Sequence, residues 1–253
     1  MGLASATGFI VERQEQQYLV TNWHVVTGTD PNTGILLDVH GRRPDAVRIS
    51  HLCASSRSHF VDRVEPLTSD DRPRWIEHPE YGKRVDVVAL PLSQLDDVRI
   101  STYDPWRTPH VQFGVGDELT VVGFPFGISS DGLALWTRGT IASEFEVDYD
   151  GLPRFLIDAR TRPGQSGAPV IFFRTGAYFD KYGGIVMPSV SSTFIPTPGK
   201  PIPPDQQRPE SDFVEELLGI YSGRIHRDSD LGFVWRTSVI RDILERGVFG
   251  TMP

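Results

Sequence analysis

Short apolar segments rich in β-branched and aromatic residues recur along this chain and are separated by turn residues. In order they read ATGFIVER, QYLVTNWHVV, TGILLDVH, AVRISHL, VDVVALPL, DELTVVGFP, LWTRGTIAS, PRFLIDAR, APVIFFR, GGIVMPSV, ELLGIYSGRI and LGFVWRTS. Helical periodicity is almost absent among them. Many short strands at this spacing are typical of β-barrels and β-sandwiches. With 253 residues, the chain can form one large all-β domain or two smaller ones.

Two segments depart from the strand pattern. The stretch TSVIRDILERG predicts a helix near residues 238–246, because its apolar residues fall on one helical face. Thr237 or Ser238 is expected to cap this helix, and Gly247 to end it. Residues 195–210, IPTPGKPIPPDQQRPE, carry six prolines and predict an extended surface loop. A polyproline ligand for a partner domain is the alternative interpretation of that loop.

Charge and cysteine content restrict the kinds of partner and of site. The formal net charge of −8 is spread along the chain without blocks of like sign, which argues against a nucleic acid or an anionic membrane as partner. Cys53 is the single cysteine, so neither an intrachain disulfide nor a cysteine metal cluster can form. The sequence has neither a secretory leader pattern nor a long apolar run, and it therefore predicts a cytoplasmic protein.

The stretch TRPGQSGAPV places Ser166 between glycines, either as a nucleophile or as an ordinary serine in a tight turn. Nucleophilic serine chemistry needs a base, a group that orients the base, and donors for the developing oxyanion. His24 is the candidate base, because an apolar segment predicted as a strand leads directly into it; a satisfied core imidazole is the alternative. Asp86 precedes a strongly apolar strand, where a carboxylate calls for a partner, although it could be a turn residue. The chain order His24, Asp86, Ser166 is one in which catalytic triads occur.

These residues carry a resemblance to a known superfamily. TNWHVV resembles the histidine motif of the trypsin/chymotrypsin superfamily, VDVVAL its aspartate motif and GQSGAP its serine motif. ATGFIV, VVGFPFG, IDARTRPGQSGAP, LLGIYSGRI and SDLGFVWRTSVIRDIL are similar to segments of the HtrA-type bacterial branch, here without a PDZ domain. The matches extend from about residue 5 to residue 247, with gaps at loops.

The resemblance implies an all-β fold of two six-stranded antiparallel β-barrels, a chymotrypsin-like double barrel, followed by a short C-terminal helix. Residues 1–105 would form the N-terminal barrel with His24 and Asp86, and residues 106–253 the C-terminal barrel with Ser166. The proline-containing stretch 100–112 suits the crossing between the halves. The insertion at about 174–216 has no counterpart in the family pattern, so its role is left open.

The resemblance also assigns roles by motif position. Ser166 would attack the scissile carbonyl, His24 would take and return its proton, and Asp86 would orient the imidazole. The backbone N–H groups of Gly164 and Ser166 would form the oxyanion hole, without any metal or cofactor. Gln165 stands where zymogen-activated members carry an aspartate that pairs with a newly cut N-terminus, so activation of that kind is not expected.

The specificity pocket is expected to involve Arg160, Ser222, Gly223, Arg224 and Gly232. Arg160 lies six residues before the serine, at the position that implies the pocket base, and an arginine there would pair with carboxylates. This predicts a preference for Asp or Glu before the cut. The alternative is an outward-turned Arg160 and a small apolar pocket between the two glycines. Ser222 also matches the position whose hydroxyl supports the aspartate.

Three functions fit these motifs. The first is an active serine endopeptidase that cleaves protein or peptide substrates. The second is a scaffold with a protease fold, latent until a partner orders its site, and a regulatory protein or a homo-oligomer could supply that partner. The third is an esterase, which the motifs disfavour because no strand, elbow and helix surround Ser166 in the manner of α/β-hydrolases.

Overall fold

The computed structural model describes residues 4–56, 58–107, 112–175, 178–179, 185–186, 213–226 and 228–252. Strands dominate, which confirms the all-β class. The first-half strands are β1 Phe9–Arg13, β2 Gln16–Thr21, β3 Ala46–Cys53, β4 Phe60–Pro66, β5 Thr68–Ser69, β6 Arg72–Pro73, β7 Ile76–Glu77, β8 Val88–Pro91, β9 Val98–Arg99 and β10 Thr102–Tyr103. The remaining strands are β11 Glu118–Gly123, β12 Leu135–Ile141, β13 Arg154–Ala159, β14 Pro169–Thr175, β15 Tyr178–Phe179, β16 Ile185–Val186, β17 Phe213–Arg224, β18 Leu231–Arg236 and β19 Val248–Phe249.

The described helices are few. They are α1, Trp23–Thr27, and α2, Thr237–Arg246, with 3-10 turns at Gly82–Arg84 and Pro125–Gly127. Within the described ranges, neither helix is long and apolar enough to cross a membrane. The proline-rich segment 195–210, and with it most of the predicted 174–216 insertion, lies outside the described residues.

The second half of the chain forms a closed barrel. Its strands follow the order β11-β12-β13-β18-β17-β14, and β14 pairs back with β11 to close the ring. Alternate residues of each strand point to the same side, and those that face the interior of the barrel are apolar. Those packed in the interior include Leu119, Val121, Ile141, Phe155, Ile157, Val170, Phe172 and Val234. This barrel corresponds to the C-terminal barrel predicted from the sequence.

The first half of the chain is assembled from separate hydrogen-bonded sheets. A six-stranded sheet has the order β10-β1-β2-β8-β7-β19, and β4, β3 and β9 form a three-stranded sheet. Strands β5 and β6 pair as a short ribbon. Strands β1 and β10 pair in parallel, unlike the predicted antiparallel arrangement, and the other strand pairs of this half are antiparallel. The sheets are consistent with the predicted first barrel, whose full closure stays a prediction, as does the domain division between residues 105 and 106.

Helix α2 joins the two halves. Its buried residues Val239, Ile240 and Ile243 pack in one cluster with β1, β2 and the Val85–Val87 segment on one side and with Ile220 and Trp235 of the barrel on the other. The helix begins at Thr237, one residue before the predicted start. The predicted cap is wrong: Arg236 is the N-cap residue, and the Thr237 hydroxyl instead donates to backbone carbonyls of β17.

Two further local predictions are wrong. The segment TGILLDVH, residues 33–40, is not a strand, because a turn built on the Asp30 carboxylate precedes it and no neighbouring strand covers Ile35, Leu37 or Val39. The predicted strand leading into His24 ends at Thr21, and His24 lies in α1. Strand β4 was not predicted, since polar residues on its exposed face dilute its apolar pattern.

Candidate active site

His24 lies in the first turn of the short helix α1, directly after β2. Its neighbour Trp23 is buried, and the indole N–H of Trp23 donates to Oε1 of Glu77 at 2.9 Å. The Trp75 indole donates to the same oxygen at 2.9 Å. Gly28, in a left-handed conformation, ends the helix. The buried tryptophan therefore fixes α1 to the core and leaves the His24 side chain, 18% exposed, facing outward.

Asp86 is the residue to which His24 is hydrogen-bonded. It lies between the buried residues Val85 and Val87, and the N–H of Val87 donates to the Val85 carbonyl at 2.8 Å, so the backbone turns tightly at Asp86. Nδ1 of His24 lies 2.7 Å from Oδ2 of Asp86, and the His24 backbone N–H donates to Oδ1 at 2.9 Å. Because a carboxylate only accepts, the imidazole proton resides on Nδ1. Nε2 is then left with a free lone pair.

Two further side chains complete the surroundings of Asp86. The Ser222 hydroxyl donates to Oδ2 at 2.6 Å, and Nδ2 of Asn22 donates to the Asp86 backbone carbonyl at 2.7 Å. Burial disfavours the charged form of the His24 imidazole, but the Asp86 carboxylate outweighs that effect and raises the pKa of His24 above its ordinary value. The charge of Asp30 acts in the same direction. When the imidazole is neutral, the pair therefore holds it oriented for proton transfer, with Nε2 free.

Ser166 lies in a loop whose backbone carbonyls are all hydrogen-bonded from residue 162 to residue 166. The donors, in carbonyl order, are Gln165 N–H, Phe126 N–H, the Thr7 hydroxyl, Ala168 N–H and Thr7 N–H. The side chain of Gln165 is fully buried and braces the same loop: its Oε1 accepts the Arg162 N–H at 2.8 Å, and its Nε2 donates to the Thr137 hydroxyl at 3.0 Å.

The amide groups of this loop behave differently from its carbonyls. The N–H groups of Arg162, Gln165, Gly167 and Ala168 all have acceptors. In the part of the chain that the structure describes, the N–H groups of Gly164 and Ser166 have none, and neither has the Ser166 hydroxyl. Since backbone groups are normally paired, these two unpaired donors, two residues apart, are available to a ligand.

The loop lies close to both halves of the molecule. A Cβ atom on Gly167 would come within 2.1 Å of the Thr7 carbonyl oxygen and 2.6 Å of the Thr21 hydroxyl, so only glycine permits this approach. The Gly167 N–H donates to the Tyr221 carbonyl at 2.9 Å. Tyr221 is followed by Ser222, whose hydroxyl bonds to Asp86. Ser166 is therefore connected to the His24–Asp86 pair through Gly167 and the Tyr221–Ser222 segment of β17.

The residues expected around the specificity pocket meet at the ends of β13, β17 and β18. Thr161 and Tyr221 are both buried and share a hydrogen bond of 2.6 Å between their hydroxyl oxygens. The Tyr221 ring packs against Gly232, whose Cβ would lie 2.6 Å from its Cε2. Gly223 and Arg224, the latter half-buried, pair with β18 opposite Phe233 and Gly232.

Three arginines border this region. Arg160 is exposed and has no ion-pair partner among the described residues. Arg162 lies 3.7 Å from the Asp230 carboxylate. Burial raises the pKa of the Tyr221 hydroxyl, while its hydrogen bond with Thr161 and the positive charges of Arg224 and Arg162 oppose that rise. The region is therefore electropositive around a filled apolar floor.

Comparisons with known proteins bear on the family. A family model for the trypsin-like peptidase domain matches residues 6–177, well over half of the chain, and the matched range contains His24, Asp86 and Ser166. The chain belongs to the trypsin-like peptidase family. The prediction of a trypsin-like peptidase is confirmed at this level. No curated protein matches the chain significantly.

Solved structures of family proteases are similar to this one. The serine endoprotease of Yersinia pestis is 17% identical with a TM-score of 0.43, and the alignment covers 95% of this chain and 56% of that protein. Rv3671c of M. tuberculosis, solved as a mutant in an inactive form, is 17% identical with a TM-score of 0.44. The alignment covers 94% of this chain and 79% of that protein. The chain thus spans little more than half the length of the Yersinia protein.

Sequence reasoning missed three residues that shape the site of this peptidase family member. Thr7 and Asn22 bond to the backbone of the Ser166 loop and of Asp86, and backbone contacts leave no pattern of residue types. Gln165 was recognised only as a motif variant, although it braces the loop. Among the described residues, no group of three or more His, Cys, Asp or Glu side chains is arranged to hold a metal ion.

Proposed function

We propose that this chain is a serine endopeptidase that hydrolyses peptide bonds through His24, Asp86 and Ser166. The observation that carries the proposal is the hydrogen bonding of the Ser166 loop: every carbonyl from residue 162 to residue 166 is bonded, while the N–H groups of Gly164 and Ser166 stay open. A tetrahedral oxyanion needs two such donors beside the nucleophile. Membership of the trypsin-like peptidase family supports the same reaction.

The chemistry follows from the orientation of the imidazole. With Nδ1–H held by Asp86, Nε2 accepts the proton of the Ser166 hydroxyl as its oxygen attacks the substrate carbonyl. The carbonyl oxygen becomes negative and is stabilised by the Gly164 and Ser166 amides. The imidazolium then protonates the leaving amine, which leaves an acyl-enzyme ester. A water molecule, deprotonated by His24, hydrolyses the ester and restores the serine.

Arg160, Arg162 and Arg224 support the further proposal that the enzyme prefers Asp or Glu before the cut. Arg160 has no carboxylate partner among the described residues, so its charge is available to a substrate acid. The contact between Tyr221 and Gly232 favours a competing preference for small apolar side chains, because the ring occupies the space beside Gly232.

Matched peptides distinguish these preferences. Five substrates that differ only in Asp, Glu, Asn, Ala or Val before the cut are compared by kcat/KM. We expect kcat/KM to be higher for the Asp and Glu peptides than for the Asn peptide. Arg160→Gln should remove most of that difference. Arg48 is an exposed arginine on β3, and Arg48→Gln is the control, which should leave the difference in kcat/KM unchanged. Equal rates for Asp and Ala would disprove the acidic preference.

The activity itself is tested by labelling with a fluorophosphonate probe and measuring the intact mass. Wild-type protein should gain one adduct, because the Ser166 oxygen displaces fluoride from phosphorus and the product oxygen occupies the open amides. Ser166→Ala should gain none, while Ser58→Ala, an exposed serine, should label as the wild type does.

A latent scaffold is the second candidate, and one observation favours it. The Ser166 hydroxyl makes no hydrogen bond to His24 in the described structure, although such bonds are often long before substrate binds. The scaffold predicts a folded wild-type protein that gains no adduct, and the endopeptidase predicts stoichiometric labelling.

A further inference from the structure

Thr7 precedes β1 and is 4% exposed, yet it contacts the nucleophile loop of the opposite half of the chain. Its hydroxyl donates to the Gly164 carbonyl at 2.7 Å and accepts the Phe124 N–H at 3.1 Å. Its backbone N–H donates to the Ser166 carbonyl at 2.9 Å, and its own carbonyl accepts the Thr21 hydroxyl at 2.9 Å. Every polar atom of Thr7 is therefore bonded, and two of these bonds hold carbonyls of the loop.

The two held carbonyls belong to the residues with open amides. Gly164 has φ of +96°, a conformation natural to glycine, and glycine is also the residue whose backbone rotates most freely. The peptide before Gly164 is fixed by the bond from Phe126 N–H to the Pro163 carbonyl at 2.6 Å. The peptide after Gly164 is fixed by the Thr7 hydroxyl. Both torsions of Gly164 are thereby restrained from outside the loop.

We propose that the Thr7 hydroxyl is a positioning group for the oxyanion-binding amides of Gly164 and Ser166. The proposal rests on the proposed endopeptidase function. Without the hydroxyl, the Gly164 carbonyl and the Phe124 N–H both lose a buried partner, and a rotation of the Gly164 peptide toward another donor becomes favourable. Such a rotation turns the open amides away from the oxyanion while His24 and Asp86 remain in place.

The test compares Thr7→Val, which keeps the shape of the side chain but removes the hydroxyl, with Thr7→Ser, which keeps the hydroxyl. The concentration of active sites is titrated first, so that kcat is calculated per active molecule and misfolded protein does not lower it. We expect Thr7→Val to lose about 10- to 100-fold in kcat, as expected when an oxyanion donor is misplaced, with KM nearly unchanged. Thr7→Ser should recover to within about threefold of the wild type.

A second measurement separates positioning from structural support. A peptidyl trifluoromethyl ketone forms a hemiketal oxyanion with the serine, so its inhibition constant should weaken by the same factor as kcat/KM in Thr7→Val. The midpoint of the pH profile should not move, because the His24–Asp86 pair is untouched. Thr29→Val is the matched control: Thr29 is equally buried, and its hydroxyl bonds only outside the loop.

Two results overturn the proposal. One is wild-type kcat per titrated site in Thr7→Val, and the other is a Thr7→Ser variant as impaired as Thr7→Val. If Thr7→Val does not fold, Thr7→Cys takes its place, since a thiol is a weak donor and the same loss is expected. Absence of labelling in the wild type would refute the endopeptidase and this proposal together, whereas a reactive wild type with an equally active Thr7→Val refutes only the role of Thr7.

Discussion

The two sides of the candidate site are held by opposite means. Around the His24–Asp86 pair, the Asp86 carboxylate accepts from the His24 ring, the His24 backbone N–H and the hydroxyl of Ser222 on the barrel, so the pair is closed around one side chain. On the second half, the Ser166 loop is held through its carbonyls and leaves two amides open. In the proposed mechanism, one side is arranged around a charge that is already present, and the other receives a charge that appears during the reaction.

This difference explains how the two sides should respond to substitution. A closed side-chain network fails when one member is removed, because the remaining polar groups are left unpaired in a buried place. A loop held by backbone bonds is insensitive to most side-chain changes and depends on the few groups that reach its carbonyls. The following predictions test this contrast, from the largest expected effect to the smallest.

Removal of either reacting side chain should abolish turnover. Ser166→Ala and His24→Ala are each expected to reduce kcat on the order of 10⁶-fold, since members of a triad act as a unit. The measurement is single-turnover cleavage of an ester substrate, together with labelling. If His24→Ala kept more than a hundredth of the wild-type rate, another base would have to be sought.

Asp86→Asn should cost about 10⁴-fold in kcat, because the amide favours the wrong imidazole tautomer. The fold should survive, since the side chains are isosteric. Thermal unfolding of the variant is measured beside its kcat. A loss of less than tenfold would show that another carboxylate orients His24.

Asn22→Ala should cost about tenfold in kcat/KM, since a positioning contact is lost while each reacting group stays. Asn22 is buried, and its Nδ2 holds the Asp86 carbonyl opposite the carboxylate contacts. Loosening of Asp86 should also lower the pKa of His24 and move the pH profile to lower pH. Asn32→Ala, on the exposed turn after α1, serves as the control. Unchanged kcat/KM and an unchanged profile in Asn22→Ala would contradict this role.

The smallest effect concerns the pH profile of the wild type. Only the neutral imidazole acts as a base, and the pKa of His24 is raised above 6.5 chiefly by Asp86 acting against burial. Activity should therefore be lost at low pH and rise through a midpoint above 6.5. Ser222→Ala removes a donor from the carboxylate and should move the midpoint higher. A profile of kcat/KM with a midpoint below about 6 would be inconsistent with the described pair.

Much of this architecture could be predicted from the sequence, and the exceptions have physical causes. Strands β11, β12 and β13 coincide with predicted segments, because each is a short apolar run between turn residues. The same kind of apolar segment misled at residues 33–40, where apolar residues are exposed on a loop rather than packed. The distribution of apolar residues in the sequence indicates which side chains could be buried, whereas tertiary packing determines which of them are buried.

The site shows the same boundary. His24, Asp86 and Ser166 could be proposed because their chemistry restricts the residue types and their order. Thr7 could not, because its hydroxyl bonds to a carbonyl 157 residues away, and any residue supplies a carbonyl. The support of the open amides is therefore visible only in three dimensions.

Strand β19 has a consequence for the order in which the site assembles during folding. Val248 pairs with Glu77, and Glu77 is the residue that anchors the indole beside His24. During refolding, the barrel can thus close before the sheet around His24 has its last strand, because contacts distant in sequence form slowly. Pulsed hydrogen exchange during refolding should protect β17 and β18 before β7. In that order of events, His24 would be the last of the three candidate catalytic residues to be held firmly in place.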